Sequence, residues 1–207
     1  MEPLNVLTPA EVSRAAAIPG PSRRAEFLMG SLLGREVVQE ATGVDRDQVS
    51  IERTCTRCGG PHGRPTVKSK ASSSRHLSEF HTVDLSISHS AGWVVAACVR
   101  QGRVGVDIED RSTALDIESV AAWLLHPSEL QLAGSQDRDA LLRAWVQKEA
   151  VLKASGEGIR LPMSGLCLGE GELQSWDEHP EYVSQIELQV LETPPGLLGA
   201  AALIASG

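Results

Sequence analysis

The stretch Val104-Gly105-Val106-Asp107-Ile108-Glu109 alternates apolar with small or acidic residues without a break. Strict alternation of this kind reads as a β-strand with two unlike faces. Val104, Val106 and Ile108 point to a core, and Gly105, Asp107 and Glu109 share the opposite face. A strand cannot stand alone, so the chain must provide strands to pair with it and a layer to cover it. Upstream, Val83–Ser88 and Trp93–Arg100 read as strands. With Arg103–Glu109 they form an expected three-strand meander whose tight turns are Ala91-Gly92 and Gln101-Gly102. Downstream, an amphipathic helical pattern from about Asp137 to Ser155 closes on Gly156, the usual C-terminal stop.

Other punctuation extends the same logic. Thr8-Pro9-Ala10-Glu11 has the capping-box form with Pro at the first helical position, which predicts a short helix. Pro19-Gly20-Pro21 breaks the chain, and Ser22 opens a helix carrying Phe27, Leu28, Leu32, Val37 and Val38 that ends near Gly43. Residues 54–81 are rich in Gly, Pro, Ser, Cys and basic side chains, which predicts a long functional loop with one short strand. Helical patterns recur at Ile117–Leu125 and Pro127–Ala133, and Tyr182–Leu191 and Leu197–Ala205 read as strands of a second sheet. A helix-then-sheet order therefore stands on both sides of about residue 104, in an α+β chain that admits two similar halves.

Composition narrows the function. The chain has 207 residues, 42% of them hydrophobic and 22% charged, as a soluble globular protein does. No apolar run approaches the roughly 18 residues of a membrane span, and no basic segment followed by an apolar core opens the chain. Four cysteines are too few for a disulfide scaffold, which points to a reducing, cytoplasmic setting. The net charge of −8 argues against nucleic-acid binding. It also hides a division. Residues 1–104 carry 13 Lys/Arg against 10 Asp/Glu, and residues 105–207 carry 6 against 17. Arg53, Arg57, Arg64, Lys68, Lys70 and Arg75 concentrate the positive charge. One half is suited to bind an anion directly and the other through a metal, although uneven surface charge is the plainer reading.

Four constellations carry possible chemistry. Asp107 and Glu109 on one strand face repel unless a cation sits between them, and Mg²⁺ prefers such oxygens; a solvated edge-strand face is the alternative. Trp145, Glu149 and Lys153 are spaced i, i+4, i+8 along one side of the long helix, either as an ordinary surface pair beneath a Trp or as a third carboxylate and a lysine facing the strand. In Leu85-Ser86-Ile87-Ser88-His89-Ser90, Leu85 and Ile87 face in, Ser86 and Ser88 face out, and His89 sits at the strand's end where phosphate oxygens could be held. Adjacent strand residues point to opposite faces, which disfavours a Ser-His nucleophile. Finally, Cys55-x-x-Cys58 with His62 nearby invites a zinc reading, but a fourth ligand is missing from the sequence pattern. The Gly63-Arg64-Pro65 end of that block is the better candidate, as a rigid turn that cradles a phosphate.

Taken together and in order, Pro61-His62-Gly63-Arg64-Pro65, Ser86-Ile87-Ser88-His89-Ser90, Gly105-Val106-Asp107-Ile108-Glu109 and Trp145-Val146-Gln147-Lys148-Glu149-Ala150 with Lys153 resemble the 4′-phosphopantetheinyl transferases of the surfactin-synthetase-activating type. The blocks span about residues 54 to 156, roughly half the chain. The resemblance implies Mg²⁺-dependent transfer of phosphopantetheine from coenzyme A to a serine of an acyl or peptidyl carrier protein, with release of adenosine 3′,5′-bisphosphate. It implies a monomeric pseudo-dimer, each half a helix on a small antiparallel sheet, with the ligand cleft between residues 1–104, which bind the nucleotide, and residues 105–207, which hold the metal. By motif position, Asp107, Glu109 and Glu149 would hold Mg²⁺, and Glu149 would also serve as base. Lys153 would neutralise the phosphates, His89 would contact the pyrophosphate and Ser88 the 3′-phosphate. Gly63, Arg64 and Pro65 would line the adenine and ribose-phosphate region, with Arg24, beside Arg23, a further 3′-phosphate contact. Ser31, after Gly30, stands where many members have arginine. A Mg²⁺-dependent nucleotide phosphohydrolase, a non-catalytic coenzyme A-binding module and a zinc-binding interaction protein built on Cys55 and Cys58 are the alternatives.

Overall fold

The computed structural model describes residues 6–55, 57–70, 82–117, 119–132, 137–169 and 171–205. The chain divides into two compact units, Met1–Gly102 and Arg103–Gly207. In the first, helices α1 (Pro9–Ala17) and α2 (Pro21–Thr42) precede the antiparallel hairpins β1 (Val49–Arg53) with β2 (Pro65–Ser69) and β3 (Asp84–Ser90) with β4 (Trp93–Val99). The second begins with strand β5 (Arg103–Asp110) and short helices α3 (Ala121–Leu124) and α4 (Pro127–Leu132). The long helix α5 (Arg138–Ser155) follows, then the hairpin β6 (Leu166–Gly169) with β7 (Glu172–Trp176), and finally β8 (Ile186–Val190) and β9 (Leu197–Ile204). Each unit thus runs long helix, hairpin, hairpin, an α+β arrangement of small antiparallel sheets. Among the described residues no helix is long and apolar enough to cross a membrane.

The helix ends follow local chemistry. Thr8 and Glu11 make the reciprocal capping box of α1, with the Thr8 N–H donating to Glu11 Oε2 at 2.8 Å and the Glu11 N–H to Thr8 Oγ1 at 3.2 Å. The same Glu11 carboxylate accepts both terminal nitrogens of the fully buried Arg35, at 2.9 and 2.6 Å, while Arg35 Nε donates to the Val49 carbonyl. One buried ion pair therefore locks α1 to α2 and to the first strand. Helix α2 opens on Pro21, one residue before the expected Ser22. Proline's fixed φ suits the first helical position, and Gly20 (φ 84°) makes the turn into it. Its α-stop is Gly43 as the sequence suggests, and α5 runs from its Asp137 cap to Gly156.

Several expectations are corrected. The meander is a hairpin plus a strand of the other unit: β3 pairs with β4, while β5 pairs with β9 in full antiparallel register, Asp107 opposite Ala200 and Gly105 opposite Ala202. Strand β1 and hairpin β6–β7 have no separate counterpart in the sequence patterns. The helix over Ile117–Leu125 contracts to Ala121–Leu124. Residues 71–81 of the expected loop, Arg75 among them, lie outside the described residues.

The face assignments change too. Ser86 and Ser88 are buried rather than outward. More consequential, the Gly105, Asp107, Glu109 face of β5 is the one that meets helix α5 and the core of its unit. A Cβ on Gly105 would lie 1.9 Å from the Ala150 carbonyl oxygen and 2.5 Å from the Ala154 nitrogen. The cross-strand residues on that face, Leu198, Ala200, Ala202 and Ile204, belong to the cluster built by Leu142, Val146, Ala150 and Ala154 of α5. Glycine and alanine on the strands let the helix backbone sit almost on the sheet. Val104, Val106 and Ile108, on the other face, are buried as well.

Gly105→Ala forces a methyl into backbone rather than into a yielding side chain. It should lower stability by about 3 kcal/mol. Urea unfolding followed by tryptophan fluorescence checks this, because Trp123, Trp145 and Trp176 all lie in the affected unit; an unchanged midpoint would contradict the close approach.

Candidate active site

The second unit brings Asp107, Glu109, Glu149 and Lys153 to one place. Asp107 and Glu109 sit two residues apart on β5, and the tight contact at Gly105 carries α5 across them. Lys153 Nζ donates to Asp107 Oδ1 at 2.6 Å and to the Val106 carbonyl at 3.2 Å. Glu149, one turn earlier on the helix, is 8% exposed, and its carboxyl is pushed up to about 7. Burial is the main cause; the charges of Asp107 and Glu109 add to it and the Lys153 ammonium works against it.

That donor set is all oxygen, net negative and partly desolvated, which is what a hard divalent cation such as Mg²⁺ takes. Three carboxylates on two rigid elements, with Asp107 and Glu109 close enough to act on buried Glu149, are the observation that fits the group. Among the described residues, the three carboxylates do not make a set whose donor atoms all lie within 4.8 Å of one another.

Lys148 has a different task. It is fully buried, and its ammonium donates to the carbonyls of Leu124 (2.8 Å) and Met163 (3.2 Å) and to Glu129 Oε2 (2.6 Å). Glu129 in turn accepts the backbone N–H groups of His126 and Leu168, each at 2.7 Å. Burial lowers the Lys148 pKa while Glu129 holds it up. Lys148 and Glu129 therefore stitch α5 to α3, α4 and β6, and the adjacent Glu149 is held in place by a neighbour that points elsewhere. No spacing in the sequence links residues 129 and 148, so sequence reasoning misses this pair.

In the first unit, His89 is exposed at the end of β3, and its Nδ1 lies 3.2 Å from Glu26 Oε2. The other oxygen of Glu26 accepts the Gly92 N–H at 2.7 Å. Ala91 (φ 49°) and Gly92 (φ 83°) make the tight turn of the β3–β4 hairpin, so Glu26 on α2 fastens both the hairpin tip and the imidazole. Glu26 is another residue the sequence reading does not single out. Ser88 is buried beside His89. Arg64 is engaged by Asp84, through Nε at 3.2 Å and through Nη2. Gly63 passes so near Thr54 that a Cβ would lie 2.2 Å from its carbonyl oxygen, and Pro65 opens β2 opposite Arg53. Arg24 is exposed on the first turns of α2, donating to the Ile18 carbonyl at 3.3 Å. Ser31 is buried, and its hydroxyl has no partner among the described residues, so this position presents no basic contact to solvent.

Comparison with known proteins bears on these residues. Residues 103–193 match the family described as the 4′-phosphopantetheinyl transferase superfamily. The 4′-phosphopantetheinyl transferase HetI of Nostoc sp. is 28% identical over 74% of this chain and 61% of its own. The 4′-phosphopantetheinyl transferase psf-1 of Bacillus pumilus is 29% identical over 66% and 52%, and gsp of Aneurinibacillus migulanus is 25% identical over 72% and 55%. The chain thus spans between half and two thirds of the length of these curated relatives. A crystal structure of holo-ACP-synthase from Plasmodium yoelii aligns at 20% identity with a TM-score of 0.38, over 51% of this chain and 94% of that one.

The raised carboxyl has a thermodynamic consequence. Folded Glu149 keeps a proton that the unfolded chain has released, so this group erodes stability as pH rises from about 4.5 to about 7. Glu149→Gln removes the penalty. In EDTA, the variant should melt a few degrees above wild type at pH 8 and level with it at pH 4; thermal unfolding across that range checks the sign, and a lower melting point at pH 8 would refute it.

Proposed function

We propose that this chain, a member of the 4′-phosphopantetheinyl transferase superfamily of the surfactin-synthetase-activating type, moves the 4′-phosphopantetheine of coenzyme A onto a serine of an acyl or peptidyl carrier protein. Adenosine 3′,5′-bisphosphate is the other product. The observation that carries the reading is the carboxylate group of β5 and α5, which lies within the residues matched by the family. Its carboxylate oxygens suit Mg²⁺, with Asp107, Glu109 and Glu149 as the residues that would hold it. When bound, the ion would draw charge from the coenzyme A pyrophosphate and orient it.

The chain's own groups supply the rest. Glu149 is also assigned the role of base, taking the proton of the incoming serine hydroxyl. The nucleophile comes from the partner, so no serine of this chain needs activation. Lys153, fixed by Asp107 and the Val106 carbonyl, keeps an ammonium at the site for the charge of the departing bisphosphate. Asp107 is thereby both a donor and the group that orients this lysine. In the first unit, His89 is assigned to the pyrophosphate and Ser88 to the 3′-phosphate. Gly63, Arg64 and Pro65 are assigned to the adenine and ribose-phosphate end, and exposed Arg24 to a further phosphate contact. Glu26 on Nδ1 leaves the other ring nitrogen of His89 to meet phosphate oxygen.

The test is intact-protein mass spectrometry of an apo carrier protein incubated with this chain, coenzyme A and Mg²⁺, beside an EDTA control. A metal-dependent gain of one phosphopantetheine is expected. Asp107→Ala should reduce the rate by at least roughly 100-fold while circular dichroism stays unchanged. Hydrolysis of coenzyme A without labelling of several carrier types would replace the transfer reading with a phosphohydrolase.

A further inference from the structure

We infer that Cys55, Cys58 and His62 form a zinc site that clasps the connection between β1 and β2. Among the described residues, these three make the set of metal-capable side chains whose donor atoms all lie within 4.8 Å of one another. The pattern Cys-x-x-Cys alone is ambiguous. Tertiary structure adds the third donor, because Gly59 (φ 68°) turns the chain immediately after Cys58 and brings His62 back over it. Cys58 Sγ and His62 Nε2 stand 2.9 Å apart.

The backbone around the site has the form of a metal-binding knuckle. The Cys55 N–H donates to the Gly60 carbonyl and the Gly59 N–H to the Cys55 carbonyl, both at 2.8 Å, and the His62 N–H donates to the Gly60 carbonyl at 2.9 Å. The Gly60 N–H points at Cys58 Sγ at 3.4 Å, a bond that a thiolate accepts and that stabilises it as a ligand. A tetrahedral zinc ion, with Zn–S about 2.3 Å and Zn–N about 2.05 Å, needs S···S near 3.8 Å and S···N near 3.6 Å. The three donor atoms already lie within 4.8 Å of one another, close to that spacing, so side-chain rotation rather than backbone movement completes the site. Sulfur and imidazole select zinc over Mg²⁺, which keeps this site chemically distinct from the carboxylates of the second unit.

Among the described residues the site has three protein donors, and the exposure of Cys58 and His62 leaves a path for a metal ion to enter. The clasp ties down a connection of residues 54–64 that has little apolar burial of its own. It also orients the turn at Gly63, which enters β2 through Arg64 and Pro65. The inference concerns the folded chain itself and stands apart from the transfer reaction.

The test is cobalt titration of the full chain, stripped of metal under reducing conditions. One Co²⁺ per chain is expected, with thiolate-to-cobalt charge transfer in the near ultraviolet, tetrahedral visible bands and displacement by Zn²⁺. Cys58→Ser should abolish the charge transfer from that sulfur and weaken binding at least roughly 100-fold, and His62→Ala should shift the visible bands and weaken binding roughly tenfold. Cys98→Ala, on β4, should leave the spectrum unchanged, and far-ultraviolet circular dichroism of each variant separates lost ligation from lost fold. The inference is overturned if the reduced chain takes up no cobalt at one equivalent. It is equally overturned if the bands survive loss of both Cys55 and Cys58, or if the two cysteines oxidise to a disulfide while their reduced form binds no metal.

Discussion

The contact on which the second unit depends is the approach of helix α5 to strand β5 at Gly105. A helix normally packs on a sheet through side chains on both surfaces. Here the Ala150 carbonyl stands where a Cβ would be, and Ala200 and Ala202 flank the gap on the neighbouring strand. Removing that layer of side chains lowers the helix by the thickness of a methyl group or more. Glu149 and Lys153, on the underside of the helix, then reach the level of Asp107 and Glu109. The same glycine that looks incidental in an alternating strand is what turns four separated residues into a site.

Charge is handled in two opposite ways within this chain. Arg35 with Glu11, and Lys148 with Glu129, are buried pairs in which nearly every donor finds an oxygen. Such pairs offer little net stability over apolar packing, yet breaking either one leaves an uncompensated buried charge that costs about 3–5 kcal/mol. They therefore fix which helix lies against which neighbour. The carboxylates of β5 and α5 are a different case, gathered on two rigid elements where Lys153 reaches Asp107 and buried Glu149 resists ionisation.

Local features were readable from the chain because local physics sets them. The capping box at Thr8 and Glu11, the Gly43 and Gly156 stops, and the turn at Ala91-Gly92 each depend on a few adjacent residues. The i, i+4 relation of Glu149 and Lys153 comes directly from helical geometry, and Asp107 and Glu109 share a face because strands repeat every two residues. What misled was the sign of that face. Alternation says that β5 has two sides, but it does not say which side carries the helix. The natural guess placed the carboxylates away from the core, whereas glycine and alanine mark the covered face here.

The sequence by itself therefore determined the long helices and most of the strands, their caps, the residue types able to hold an anion or a cation, and a resemblance dense enough to name a family. Only the tertiary structure decided which of these residues meet. Pairing of β5 with β9 spans nearly a hundred residues, the Lys148–Glu129 clamp links positions with no periodic relation, and the Cys55, Cys58 and His62 donors converge through a single left-handed glycine. Each is a contact chosen by packing many weak preferences at once, and no window of sequence short enough to read contains that information.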